Sequence, residues 1–135
     1  MIFTSYFANI RKLPPNIFPV AITAVVPDWY TGLSYSLLAP SYDILRRYKR
    51  DRDEAAYTKL FSQSILDNLD LDTVLRDLNE MTPAHFRPIM ISTIYKDPNW
   101  HVALICYEKS GDFCHRHLVA DWFRCNGVEC GEWQI

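Results

Sequence analysis

Two apolar runs constrain this chain most: "FPVAITAVV", starting at Phe18, and "HVALICYE", from His101 to Glu108. Both are near-continuously apolar over a strand's length instead of alternating. That pattern suits strands covered on both faces, as in a parallel sheet. Helical patterns lie between them. Ser41 is placed to cap a helix carrying Tyr42, Leu45 and Tyr48 on one stripe, with Asp43 in its first turn. A second helix starts near Asp53, with Tyr57, Leu60, Phe61, Ser64, Ile65 and Leu69 at three- and four-residue spacing. A third follows Asp70 or Asp72 and carries Val74, Leu75, Leu78 and Met81.

The ends of the chain complete the alternation. "MIFTSYF" reads as a first strand, and "RKLPPN" breaks regular structure after it. "PDWYTGLSYSLLAP" (Pro27 to Pro40) has no clear period and reads as a long ordered loop. "RPIMISTIYKDPNW" favours a strand with "KDPN" as its turn, with a buried helix as the alternative. After "HVALICYE", "KSGD" supplies a turn and a helix runs from about Phe113 to Cys125. Gly127 stops that helix in a left-handed conformation, and "VECGEW" forms the last strand. Strands alternating with helices imply an α/β fold with a mostly parallel sheet, here one domain over residues 1–135.

Composition narrows the function classes. A net charge of -2 excludes blanket basic charge as the means of holding nucleic acid, although "RRYKRDR" concentrates positive charge on what reads as a solvated helix end. "IFPVAITAVV" is too short, and too interrupted by Pro19, to be an export signal or a membrane span. A cytoplasmic setting is therefore expected, with the four cysteines (Cys106, Cys114, Cys125 and Cys130) as reduced thiols.

The chemistry concentrates in "CYEKSGDFCHRHLVADWF" (Cys106 to Phe123). In an open parallel sheet the ligand crevice lies outside the carboxyl ends of the strands, where this strand delivers Cys106, Tyr107 and Glu108. The next helix begins at the same rim with Cys114, His115 and Arg116 in its first turn. There the free amides and the macrodipole favour an anion and lower a thiol's pKa. Arg116 adds a bidentate donor suited to phosphate or carboxylate. Glu108, beside an apolar strand, suits acid–base work.

Three chemistries compete for these residues. A phosphatase-type loop needs an arginine six residues after its cysteine, and position 112 is Asp. A zinc site would take Cys106, Cys114, His115 and His117, yet no C-x-x-C pair is present and helix positions 115 and 117 point about 200° apart. No metal ligand is assigned, and no cofactor is expected. A nucleotide or sugar-phosphate pocket remains. Plainer roles stand beside each residue: Cys106 as a small buried hydrophobe, Asp112 and His115 as helix caps, Cys125 and Cys130 as structural, and Glu108 paired with Arg116 across the turn.

The stretch "VALICYEKSGDFCHRHLVADWF" followed by "GVECGEW" resembles the C-terminal signature of the domain-of-unknown-function family 488. Members carry an apolar strand, a Cys-x-Glu, a short turn, and a Cys-His-Arg opening a helix before a last strand. Cys106, Glu108, Cys114, His115 and Arg116 match it residue by residue. The glycine-rich second-strand loop of many members is replaced here by "TAVVPDWYTG". The resemblance implies a three-layer Rossmann-like domain of bacterial or phage type, acting on nucleotides or nucleic acids.

The expectation is thus a pocket for a nucleotide- or nucleoside-type ligand or nucleic acid, with no membrane partner and no assigned oligomer. Glu108 and Cys114 are its candidate catalytic residues, in a nucleotide-directed hydrolase or transferase. Tyr6, Asn9, Asp28, Trp29, Cys106, His115 and Arg116 are its candidate ligand-binding residues. The alternatives are a non-catalytic binder, such as a phage-type protein that sequesters a nucleotide signal or covers a host factor, and a zinc-stabilised interaction module.

Overall fold

The computed structural model describes residues 1–82, 101–108 and 113–134. Ile2–Tyr6 (β1), Phe18–Ala21 (β2), Leu33–Ser34 (β3), Val102–Cys106 (β4) and Cys130–Glu132 (β5) form one sheet in the order β3-β2-β4-β1-β5. Every pairing is parallel, so the α/β Rossmann-like expectation is met throughout the sheet. Tyr6 lies opposite Cys106 and Ala21 opposite Ile105, which sets the carboxyl ends of β1, β2 and β4 at one rim. From β2 the chain moves outward to β3, whereas from β4 it crosses β1 to reach β5. The two connections leave in opposite directions, and ligand crevices of open parallel sheets form at such a divergence.

Four helices of the described residues follow from their caps and stripes. Tyr42–Asp51 (α1), Glu54–Ser64 (α2) and Leu71–Met81 (α3) begin at Ser41, Asp53 and Asp70, whose side chains accept from Ile44 N, Ala56 N and Thr73 N. Each such cap satisfies an amide that the helix leaves unpaired. His115–Cys125 (α4) ends as the sequence implies: Gly127 takes φ 81°, its amide donates to Arg124 O, and Val128 N donates to Phe123 O. This paired closure, with buried Val128 and Phe123, turns the chain into β5.

Side-chain alternation sorts the strands into two cores. Ile2, Val20, Val102 and Leu104 face the helices and pack with Ile44, Phe61, Leu78 and Phe123. Ala21, Ala103 and Ile105 face the opposite layer, where the 3-10 segment Phe7–Lys12 and the loops before and after β2 supply Phe7, Ile17 and Tyr30. Burying each large apolar side chain contributes about 1.5–3 kcal/mol, which is what holds helices to sheet. No helix among the described residues is long and apolar enough to cross a membrane.

Several elements differ from expectation. The run from Phe18 is strand only to Ala21; past Ile22 the chain bends, and the Thr23 hydroxyl donates to Val25 O. Within "PDWYTGLSYSLLAP" lie β3 and a 3-10 turn at Ser36–Leu38. In α1 Ile44 enters the core while Tyr42 faces solvent. The segments "RPIMISTIYKDPNW" and "KSGD", with the Asp112 cap, lie outside the described residues.

Candidate functional site

At the end of β4, alternation places Cys106 on the helical side of the sheet. Tyr107 points to the other side, its ring 4.9 Å from that of Phe7, and Glu108 returns to the helical side. The chain comes back within eight residues, and Cys114 is the residue before α4, with extended backbone and no side-chain cap bond. Cys114 therefore sits one position ahead of the expected first turn. The two sulfurs meet there and are bonded, which corrects the expectation of reduced thiols at Cys106 and Cys114. The Cα atoms of the pair are 7.5 Å apart. With the bond closed, Cys114 is no free nucleophile. Cys125 and Cys130 are free, and burial pushes the Cys130 thiol up to about 12.

His115 is buried in the first turn of α4. Its Nε2 lies 2.5 Å from Ile22 O; because a carbonyl only accepts, Nε2 carries the proton and Nδ1 presents its lone pair. That lone pair lies 3.8 Å from Cys114 Sγ. Burial pulls the imidazole down to about 4, against the opposing pull of the Ile22 bond and with small help from Arg116 and His117, so the ring is neutral near pH 7.

Arg116 overturns an expectation. A ligand-gripping guanidinium would have to reach the crevice, but this side chain is 0% exposed. Its Nε and Nη2 donate to Glu132 at 3.0 and 2.8 Å, and Nη1 donates to Cys106 Sγ at 3.1 Å and to Glu108 O. The Tyr6 ring lies 5.6 Å away over the guanidinium carbon. Arg116 thus ties α4 to β5 and the end of β4, and neither the anion grip nor a pairing with the Glu108 carboxylate is realised. Tyr6, half-buried, packs against this cluster.

Beside the cluster a cavity of about 460 Å³ opens at the carboxyl ends of β2 and β4. Leu45, Tyr48, Tyr57 and Phe113 form an apolar, mostly aromatic wall. Thr23, Lys49, Glu108 and His115 supply the polar positions. The size and lining match small-molecule sites, which are mostly apolar with a few polar groups. Burial, then the charge of Glu108, keeps the Tyr57 phenol protonated far above its ordinary range.

The structure brings Cys106, Glu108, Cys114 and His115 together. It leaves Asn9 buried in the 3-10 segment and Trp29 edge-on to Phe7 and Tyr30, on the opposite layer. Asp28 is exposed; its charge, after burial, helps raise the Tyr107 phenol. Sequence reasoning missed Tyr48, Lys49, Tyr57 and Phe113. The available signal was tyrosines inside otherwise aliphatic stripes, which put a polar tip at the edge of a core. Cys106, Cys114 and His115 each offer one soft donor atom, all within 4.8 Å of one another.

A family model named DUF488-N3a, described as the active DUF488-N3 subclade, matches residues 12–127. No curated protein and no solved structure shows significant similarity to the chain.

Proposed function

The chain belongs to the DUF488 family, in its DUF488-N3 subclade, and on that premise we propose that the cavity takes a nucleotide- or nucleoside-type ligand. The observation that carries this reading is an aromatic wall facing a carboxylate at the point where the β2 and β4 connections diverge. The planar base lies against Tyr48, Tyr57 and Phe113, where stacking contributes about 1–3 kcal/mol per base. The phosphate points to the exposed Lys49, which takes the part that Arg116 is too buried to play. Glu108 is the reacting carboxylate, as proton donor and acceptor or as nucleophile in hydrolysis or group transfer.

Thermal shift with a panel of nucleosides and nucleotides tests binding, since a ligand at a hundred times its Kd stabilises by about 2.7 kcal/mol. Lys49→Ala weakens nucleotides and leaves nucleosides unaffected. Glu108→Gln keeps binding and abolishes product formation in a chromatographic assay. An unshifted wild type, reduced and oxidised alike, refutes the reading.

One observation favours capture without turnover: with Cys114 bonded and Arg116 enclosed, Glu108 is left as the reactive group among the expected catalytic residues. A pure binder predicts nucleotide binding with no product from wild type.

A further inference from the structure

We propose that, once its sulfurs are reduced, the Cys106–Cys114–His115 corner binds a zinc-class divalent cation through Cys106 Sγ, Cys114 Sγ and His115 Nδ1. The fourth position faces the cavity beside Glu108. The assignment deepens the function proposed above but rests on separate observations.

The three donor atoms come from a strand end, the residue before a helix and the helix's first residue, and all lie within 4.8 Å of one another. Such a set has no short sequence repeat, which is why spacing alone conceals it. Two of the three donors are also oriented by a further contact. The Nε2–H of His115 donates to Ile22 O, the arrangement that aims the other nitrogen of a metal-bound imidazole. Nη1 of Arg116 donates to Cys106 Sγ at 3.1 Å, a bond that favours thiolate over thiol.

The backbone spacing agrees. The Cα separation of Cys106 and Cys114 is 7.5 Å. It suits two thiolates that share an ion with Zn–S distances of about 2.3 Å. Charge closes too: two thiolates neutralise a dication, the imidazole is neutral, and Arg116 is neutralised by Glu132. Glu108 Oε2 lies 3.7 Å from Cys106 Sγ, at the cavity wall. Two cysteines and one histidine with an open fourth position form a donor set of catalytic rather than purely structural zinc. The interconversion balances: a dithiol reductant supplies two electrons and two protons to split the sulfur–sulfur bond, and the cation then displaces both protons.

The test is titration of the reduced full chain with Co2+. One equivalent per chain is expected, with a thiolate-to-cobalt charge-transfer band and the visible bands of a tetrahedral ion. Cys106→Ser, Cys114→Ser and His115→Ala each lose the band, whereas Cys125→Ser and His117→Ala keep it. Should the site variants fail to fold, the wild type decides: oxidation must abolish the band and a dithiol reductant restore it. Reduced wild type without a band overturns the proposal, and so does a band insensitive to oxidation or dependent on Cys125. Nucleotide binding by metal-free protein would leave the proposed function standing while the metal site failed; Co2+ binding without nucleotide binding would do the reverse.

Discussion

Glu132→Gln perturbs the most buried ion pair among the described residues. Glu132 receives two guanidinium bonds from Arg116, at 3.0 and 2.8 Å, and one from the Thr4 hydroxyl at 2.7 Å. The Arg116 side chain is 0% exposed and that of Glu132 is 15% exposed. Gln is the same size, but it removes the negative charge and turns an amide NH2 toward one of these donors. Breaking a buried pair from one side costs about 3–5 kcal/mol, because the remaining charge is uncompensated. The partial exposure of Glu132 places this case near 3 kcal/mol. With an unfolding entropy of about 2 cal/mol/K per residue, 135 residues convert that to a Tm drop of about 10 °C. The matched control is Asp43→Asn, which breaks the exposed Arg46 pair and costs at most about 0.5 kcal/mol. Thermal unfolding followed by circular dichroism compares the two at low and high salt. A Glu132→Gln drop within 2–3 °C of the control, on the order of 1 kcal/mol, would refute the view that this pair locks α4 to β5.

Three further outcomes are expected. Gly127→Ala strains the left-handed turn at φ 81° and costs about 1 kcal/mol by urea unfolding. Asp70→Ala removes bonds to Thr73 N and Thr73 Oγ1 and costs a similar ~1 kcal/mol, read from the same curves. His115 makes stability pH-dependent. Its pKa lies near 4 when folded against 6.5 ordinarily, so its contribution is complete above pH 6.5 and is lost as pH falls toward 4. The full loss is about 3 kcal/mol, checked by urea midpoints of the oxidised protein across that range and flattened in His115→Asn.

Much of this architecture was readable in the chain because local physics and tertiary packing agree there. Ser41, Asp53 and Asp70 are side-chain caps as residue type implies, and Gly127 occupies the backbone conformation that only glycine takes freely. The run at Val102–Cys106 is buried at every residue, as its unbroken apolar character requires. The strand at Leu33–Ser34 was not readable, because two exposed residues carry no period and pair with β2 through long-range contacts alone. The site was half readable. Motif position brought Glu108, Cys114 and His115 to the rim, but which way Arg116 pointed depended on Glu132, sixteen residues away on another strand. Tyr48 and Tyr57 looked like core stripe in sequence, and they serve as core and cavity wall together.

Amide chemical-shift mapping during titration with a nucleoside monophosphate tests the proposed pocket most directly. Perturbations are expected to cluster at Thr23, Tyr48, Tyr57, Glu108 and His115, which line the cavity at the ends of β2 and β4. Perturbations confined to Asn9, Trp29 and Tyr30 on the opposite layer, or none at saturating ligand, would contradict it.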